Sequence, residues 1–98
     1  MFNFSRLKGF DWNKWNVDKN WIKHKITSKE SEEIFFDKNK KILKDLLHSN
    51  KETRYIILGE TAKKRLLYAV FTVRRNKIRI ISARDINKKE IKLYEKTT

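Results

Sequence analysis

The sequence predicts an α+β fold, a small antiparallel sheet with helices packed on one face, in the order β-α-α-β-β-β-α. Three observations lead to it. The C-terminal half carries three runs rich in aromatic and β-branched residues, RYIILG, RLLYAVFTVR and KIRIISAR. Two capping pairs, Thr27 with Glu30 and Asn87 with Glu90, mark the starts of helices. Helices and strands do not alternate singly, which favours an antiparallel sheet over a parallel one.

The elements follow in order. Phe2, Phe4, Phe10 and Trp12, with Arg6, Lys8 and Asp11 between them, predict a short strand or hairpin in the first twelve residues. From Asn13 to Ile26, the spacing of Val17, Trp21 and Ile26 predicts a helix that buries its Trp21 face and leaves Lys19, Lys23 and Lys25 in water. Thr27 opens a second helix running through Ile34, Phe35 and Phe36. Between Asp37 and Thr53, the residues Ile42, Leu43, Leu46 and Leu47 fit either a third helix or a strand entering a turn at His48-Ser49-Asn50. Arg54–Gly59, Arg65–Arg74 and Lys77–Arg84 read as strands, the last with Ile78, Ile80 and Ser82 on one face and Arg79, Ile81 and Ala83 on the other. Arg75-Asn76 joins two of them as a tight hairpin, where asparagine tolerates a positive φ. Asn87 opens a final helix with Ile91 and Tyr94 on its inner side.

Ninety-eight residues suit a single domain spanning 1–98, and twelve aromatic side chains give it enough apolar surface to fold. Lys and Arg number 25 against 12 Asp and Glu, a net charge of +13, so an anionic partner is expected, nucleic acid first and an acidic protein second. With no cysteine, two histidines and two glycines, the chain has no thiol nucleophile, no zinc motif and no Gly-rich phosphate loop, and no cofactor or metal is expected. No apolar run approaches membrane-spanning length and the start is unlike a signal peptide, so a cytoplasmic location with no membrane partner is expected.

Arginines dominate the sheet half: Arg54, Arg65, Arg74, Arg75, Arg79 and Arg84. A guanidinium grips phosphate bidentately, and Arg84 closes a strand directly before a helix cap, where first-turn N–H groups add to it. The plainer alternative is a solvated basic face whose arginines pair with Asp85, Glu52 or Glu60. Lys23-His24 is a second candidate, because an imidazole gives or takes a proton near neutrality and Asn20, one turn earlier, could orient the ring. A histidine bonded to a backbone carbonyl is the alternative, and His48 is a weaker candidate. Trp12, Trp15 and Trp21 fit core packing better than base stacking. Glu90 and Tyr94 have capping and packing explanations, although either would lie near a substrate at Arg84.

Two blocks resemble the BrnT family of ribonuclease toxins. Phe10-Asp11-Trp12, Asn20, Lys23-His24, Ile26 and EEIFFD resemble its F-[DE]-W-D opening with a later K-H-G; RYIILGET, Arg65-Leu66-Leu67, FTVR, RIISAR and E-x-x-x-Y from Glu90 to Tyr94 resemble its second block. Asn13, Asn16 and Lys25 stand where the family pattern has Asp, Lys and Gly. The resemblance implies a RelE-like fold and a metal-independent endoribonuclease that arrests translation. It implies neutralisation by a cognate DNA-binding antitoxin of ribbon-helix-helix type, BrnA-like, in a complex that represses its own operon, so that operator DNA is met only through the antitoxin. The site residues carried over are Lys23, His24, Arg65, Arg74, Arg84, Glu90 and Tyr94. The expected catalytic set is Lys23, His24, Arg65, Arg74 and Arg84, with Arg54, Arg79, Tyr94 and Glu90 binding substrate. RNA supplies its own 2′-OH nucleophile, so proton carriers and cations suffice. The alternatives are a non-enzymatic basic RNA- or ribosome-binding module and a toxin that keeps antitoxin binding without activity.

Overall fold

The computed structural model describes residues 7–13, 16, 19–47 and 51–96. Two short helices come first, α1 (Lys19–His24) and α2 (Ser28–Glu33), the latter extended by a 3-10 turn over Ile34–Phe36. Four strands follow, β1 (Lys41–Lys44), β2 (Tyr55–Glu60), β3 (Leu66–Arg74) and β4 (Lys77–Asp85), and the helix α3 (Lys88–Glu95) closes the chain. The strands form one antiparallel sheet in the order β1-β2-β3-β4. The α+β class and antiparallel sheet agree with the sequence; the order does not.

Of the expected first strand the described residues form one parallel bridge, between Phe10 and Ile78, and its first six residues lie outside the described part. The fourth strand comes instead from the ambiguous stretch around Ile42, which pairs as β1 with β2. Pairing decides this: four residues with two apolar side chains cannot sustain a helix alone, but can extend a sheet edge already laid down by β2.

The register assigns side chains to faces. Leu67, Ala69 and Phe71 of β3 oppose Gly59, Ile57 and Tyr55 of β2, and this face is buried against Ile26, Ile34 and Phe35. Phe35 meets Phe71 edge-on at 5.0 Å, and Phe10 meets Phe35 at 5.3 Å. Gly59 lets the 3-10 turn close on the sheet, since a Cβ there would sit 2.7 Å from the Ile34 Cβ and 2.8 Å from its carbonyl oxygen. The opposite face carries Leu58, Tyr68, Arg74, Arg79 and Arg84. Helix α3 lies against that second face, because its Glu90 grips Arg84, so the helices cover both faces rather than one.

A β-bulge corrects the expected faces of β4. Val70 pairs with Ser82 but Phe71 with Ile80, which leaves Ile81 as the extra residue. The period of two is broken there, and Ala83 rather than Ser82 joins Ile78 and Ile80 in the core. Two buried asparagines dock α1 on this irregular stretch. Asn16 Nδ2 donates to the carbonyls of Ile80 and Asp11, and Asn20 Oδ1 accepts from the Ala83 N–H. Among the described residues of this segment Asn16, Asn20 and Ile26 are buried, Val17 lies outside the described residues, and Trp21 is 48% exposed rather than buried.

Candidate functional site

Both capping boxes form as the sequence predicts. The Thr27 hydroxyl accepts from the Glu30 N–H while the Glu30 carboxylate accepts from the Thr27 N–H, and Asn87 and Glu90 do the same for α3. These boxes place Glu30 and Glu90 against two arginines at the same end of the sheet, with different results.

Arg65 is saturated. Its Nε and Nη2 donate to the two oxygens of Asp85 at 2.8 and 3.1 Å, its Nη1 to the Lys25 carbonyl and Glu30, and its Nη2 to the His24 carbonyl. Five hydrogen bonds use the five donors of a guanidinium. The two carbonyls end α1, where Lys25 has a left-handed φ of 57° and donates its N–H to the Trp21 carbonyl. Arg65 thus ties the end of α1 to α2 and β4. The Arg65 hydrogen bonds hold the Asp85 carboxyl below the usual range against the opposing effect of burial.

Arg84 is held but not used up. Glu90 clamps it bidentately at 2.7 and 2.8 Å, its Nη1 also donates to the Asp85 carbonyl, and its guanidinium lies 3.8 Å above the Tyr68 ring. The bonds to Glu90 and Asp85 occupy three of five donors, a further hydrogen bond joins the guanidinium to Tyr68, and the side chain is 37% exposed. Burial alone would raise the Glu90 carboxyl, but its bonds from Arg84 and the Asn87 backbone keep it below the usual range. The cation is thereby oriented by a rigid ring and a locked carboxylate while keeping an edge toward solvent.

His24, half-buried, stands at the end of α1 beside exposed Lys23, and its charge acts on Asp85. Asp85 and Arg84 are consecutive in β4 and point to opposite faces, so His24 and Arg84 flank the two sides of one strand end. Asn20 commits its amide oxygen to Ala83 and does not orient the ring through it. At the same end, Tyr94 donates to Asp37 at 2.6 Å, and Asp37 also accepts from the Glu60 and Asn39 N–H groups. Burial and that bond push the Tyr94 phenol well above its usual range; Asp37, which burial would raise, is lowered by the bonds it accepts.

The other candidates gather elsewhere. Arg74 pairs bidentately with Glu52, and Arg79 faces Asp11 at 3.8 Å, both near the Arg75-Asn76 hairpin. Arg74 lies six positions along β3 from Tyr68, about 20 Å at the usual rise per residue, so Arg74 and Arg84 cannot hold one phosphate. Arg54 precedes β2, at the hairpin end. Arg65 with Asp85 and Arg74 with Glu52 follow the pairing alternative drawn from the sequence. Tyr68 was missed: it reads as one more aromatic in a strand, and only register places it beneath Arg84. Trp12 packs against the core with its indole N–H on Glu32 at 2.6 Å, whereas Trp15 and His48 lie outside the described residues.

The family model of the ribonuclease toxin BrnT, of type II toxin–antitoxin systems, matches residues 12–90. The chain belongs to the BrnT family. It is accordingly a ribonuclease toxin of a type II toxin–antitoxin system, a class whose partner is a protein antitoxin. No curated protein matches it. The matched segment runs from Trp12 to Glu90 and so takes in the strand end that Arg84 and His24 flank from opposite sides and that Arg65 braces. Among the described residues, no helix is long and apolar enough to cross a membrane.

Proposed function

We propose that this BrnT-family protein is a metal-independent endoribonuclease in which Arg84 holds the scissile phosphate, and that cleavage arrests translation. The observation that carries this reading is the clamped, stacked and still accessible Arg84 guanidinium. Its unused edge takes a phosphate oxygen, and the charge that develops on the phosphorane meets a cation that needs no reorganisation. The substrate's 2′-oxygen attacks phosphorus as its proton leaves to a base, and the 5′-oxygen departs with a proton from an acid. This yields a 2′,3′-cyclic phosphate and a 5′-hydroxyl. Lys23 and His24, across the strand end from Arg84, contact the RNA chain next to the reacting phosphate. Arg65 acts as a positioning residue that sets the end of α1 bearing His24. Glu90 orients Arg84, Tyr94 braces α3 through Asp37, and Arg54, Arg74 and Arg79 contact RNA away from the reacting phosphate. A cognate ribbon-helix-helix antitoxin of BrnA-like type neutralises the enzyme, and the complex represses its operon.

The test is cleavage of RNA by the purified protein in EDTA, with a matched substrate carrying a deoxyribose at the cleaved position. Arg84→Ala lowers kcat at least about 100-fold, the scale of losing one transition-state donor, while the melting curve stays cooperative. Cleavage of the deoxy substrate, or an Arg84→Ala protein as fast as the parent, overturns the mechanism. Tight RNA binding with no cleavage by a folded protein would instead favour a basic RNA- or ribosome-binding module.

A further inference from the structure

The β3–β4 hairpin end holds a cleft of about 440 Å³ lined by Asp11, Asn13, Arg74, Arg75, Lys77 and Arg79. Four cations face one carboxylate, and Glu52 offsets part of this from Arg74. The scaffold beneath is fixed. Arg75 and Asn76 take left-handed φ values of 53° and 65°, the pattern of a two-residue type I′ turn, and Lys8 donates its N–H to the Asn76 carbonyl at 2.6 Å. Gly9 accepts from the Ile78 N–H and Asp11 donates to the Ile78 carbonyl, so the segment carrying Asp11 is laced to the edge of β4. The Arg79–Asp11 contact at 3.8 Å is looser than the 2.7 Å of Arg84 on Glu90, while the Arg79 side chain is 17% exposed against 50% for Arg74.

Position and chemistry together specify an occupant. Arg74 and Arg79 stand on the same sheet face as Arg84, about 20 Å and about 13 Å away along β3. Every lining residue is polar, so an acidic protein segment would find no pocket for the apolar side chains that anchor such interfaces. A sugar-phosphate backbone asks only for charge. We propose that this cleft anchors the backbone of a single-stranded RNA several nucleotides from the phosphate held at Arg84, so that the sheet face sets a minimum substrate length. The inference rests on the RNA-cleaving reading above and adds Arg75 and Lys77 to it.

The experiment measures binding of uncleavable 2′-O-methyl oligouridylates, 5 and 20 nucleotides long, to the parent and to Arg75→Asn/Lys77→Gln. Asparagine keeps the left-handed turn while removing charge. A second double variant, Lys29→Gln/Lys63→Gln, removes the same charge from a different surface. The hairpin variant should bind the long RNA about ten-fold more weakly, with a salt slope reduced by about 1.4 for two lost phosphate contacts. Its binding of the short RNA, and binding of both RNAs by the control variant, should move less than two-fold. Equal weakening of both RNAs, equal weakening by the control variant, or no change overturns the inference. So does a hairpin variant that loses only antitoxin binding. A parent that cleaves no RNA, paired with selective loss of the long oligomer, refutes the enzyme reading and leaves the anchoring cleft standing.

Discussion

Arg65→Ala separates scaffold from chemistry at the strand end, because the same arginine fits either role in the sequence. The substitution deletes two bonds to the carbonyls that end α1, at 2.9 and 3.2 Å, and an ion-pair network joining Glu30 to Asp85. The Asp85 side chain is 62% exposed, so its share is screened to under about 1 kcal/mol. The carbonyl bonds and the more enclosed Glu30 contact contribute about 1 kcal/mol each as charge-assisted bonds discounted for solvent. The total, about 2–4 kcal/mol, is a large part of the 5–15 kcal/mol that a small domain has. A chain of this size loses about 4–8 °C of Tm per kcal/mol, so Arg65→Ala should melt about 10–25 °C below the parent by circular dichroism. Lys, with three donors on a point charge, should recover only part of the loss. At a temperature where both proteins are folded, Arg65→Ala should retain RNA cleavage within an order of magnitude of the parent. A variant that melts within about 2 °C of the parent and cuts no RNA would refute the reasoning and return Arg65 to the catalytic set.

Three further outcomes follow from the packing. Gly59→Ala drives a methyl into Ile34 and should cost about 1–3 kcal/mol in urea unfolding; an unchanged midpoint would mean that the 3-10 turn shifts freely. Lys25→Gly relieves a left-handed residue and should raise Tm by a few degrees, about 0.5–1 kcal/mol, and a lower Tm would show that the Lys25 ammonium over Trp21, at 5.3 Å, matters more than the strain. The Glu30, Asp37, Glu52, Asp85 and Glu90 carboxyls all lie below their usual values in the fold, so their contribution is present above about pH 4 and is lost as pH falls through their folded values. Tm measured against pH should therefore drop on the acid side, and Tyr94→Phe should cost about 1 kcal/mol at neutral pH with a smaller difference from the parent in acid. A constant difference at every pH would mean that the Tyr94 bond does not depend on the charge of Asp37.

Local signals proved legible because their physics is local. Thr27 with Glu30 and Asn87 with Glu90 form the helix caps their spacing announces, and Arg75-Asn76 makes the tight turn its residues allow. The three strands of the C-terminal half appear within a residue or two of their hydrophobic runs. The resemblance to the BrnT family likewise needed only residue types in order, and the family match covers the same stretch. Trp21 misled because a helix buries whatever face its neighbour requires. Here the irregular backbone around Ile81 calls for amide groups, and Asn16 and Asn20 supply them. One extra residue at the β4 bulge exchanged Ser82 for Ala83 in the core, a change that no alternation rule contains.

The chain's own composition determined its charge, its lack of thiols, its helix starts and its strand-forming runs, since each depends on residues within one turn or one strand of each other. Tertiary structure alone decided which arginines work together. Arg65 and Arg84, nineteen positions apart, meet at one strand end with opposite fates, while Arg74, ten positions from Arg84, stands about 20 Å from it. Whether a guanidinium is spent on carbonyls and carboxylates or left with an open edge depends on strand register and on which carboxylate a capping box happens to aim at it. Those are contacts between residues distant in sequence, set by the burial of a shared core, and no local pattern of side chains encodes them.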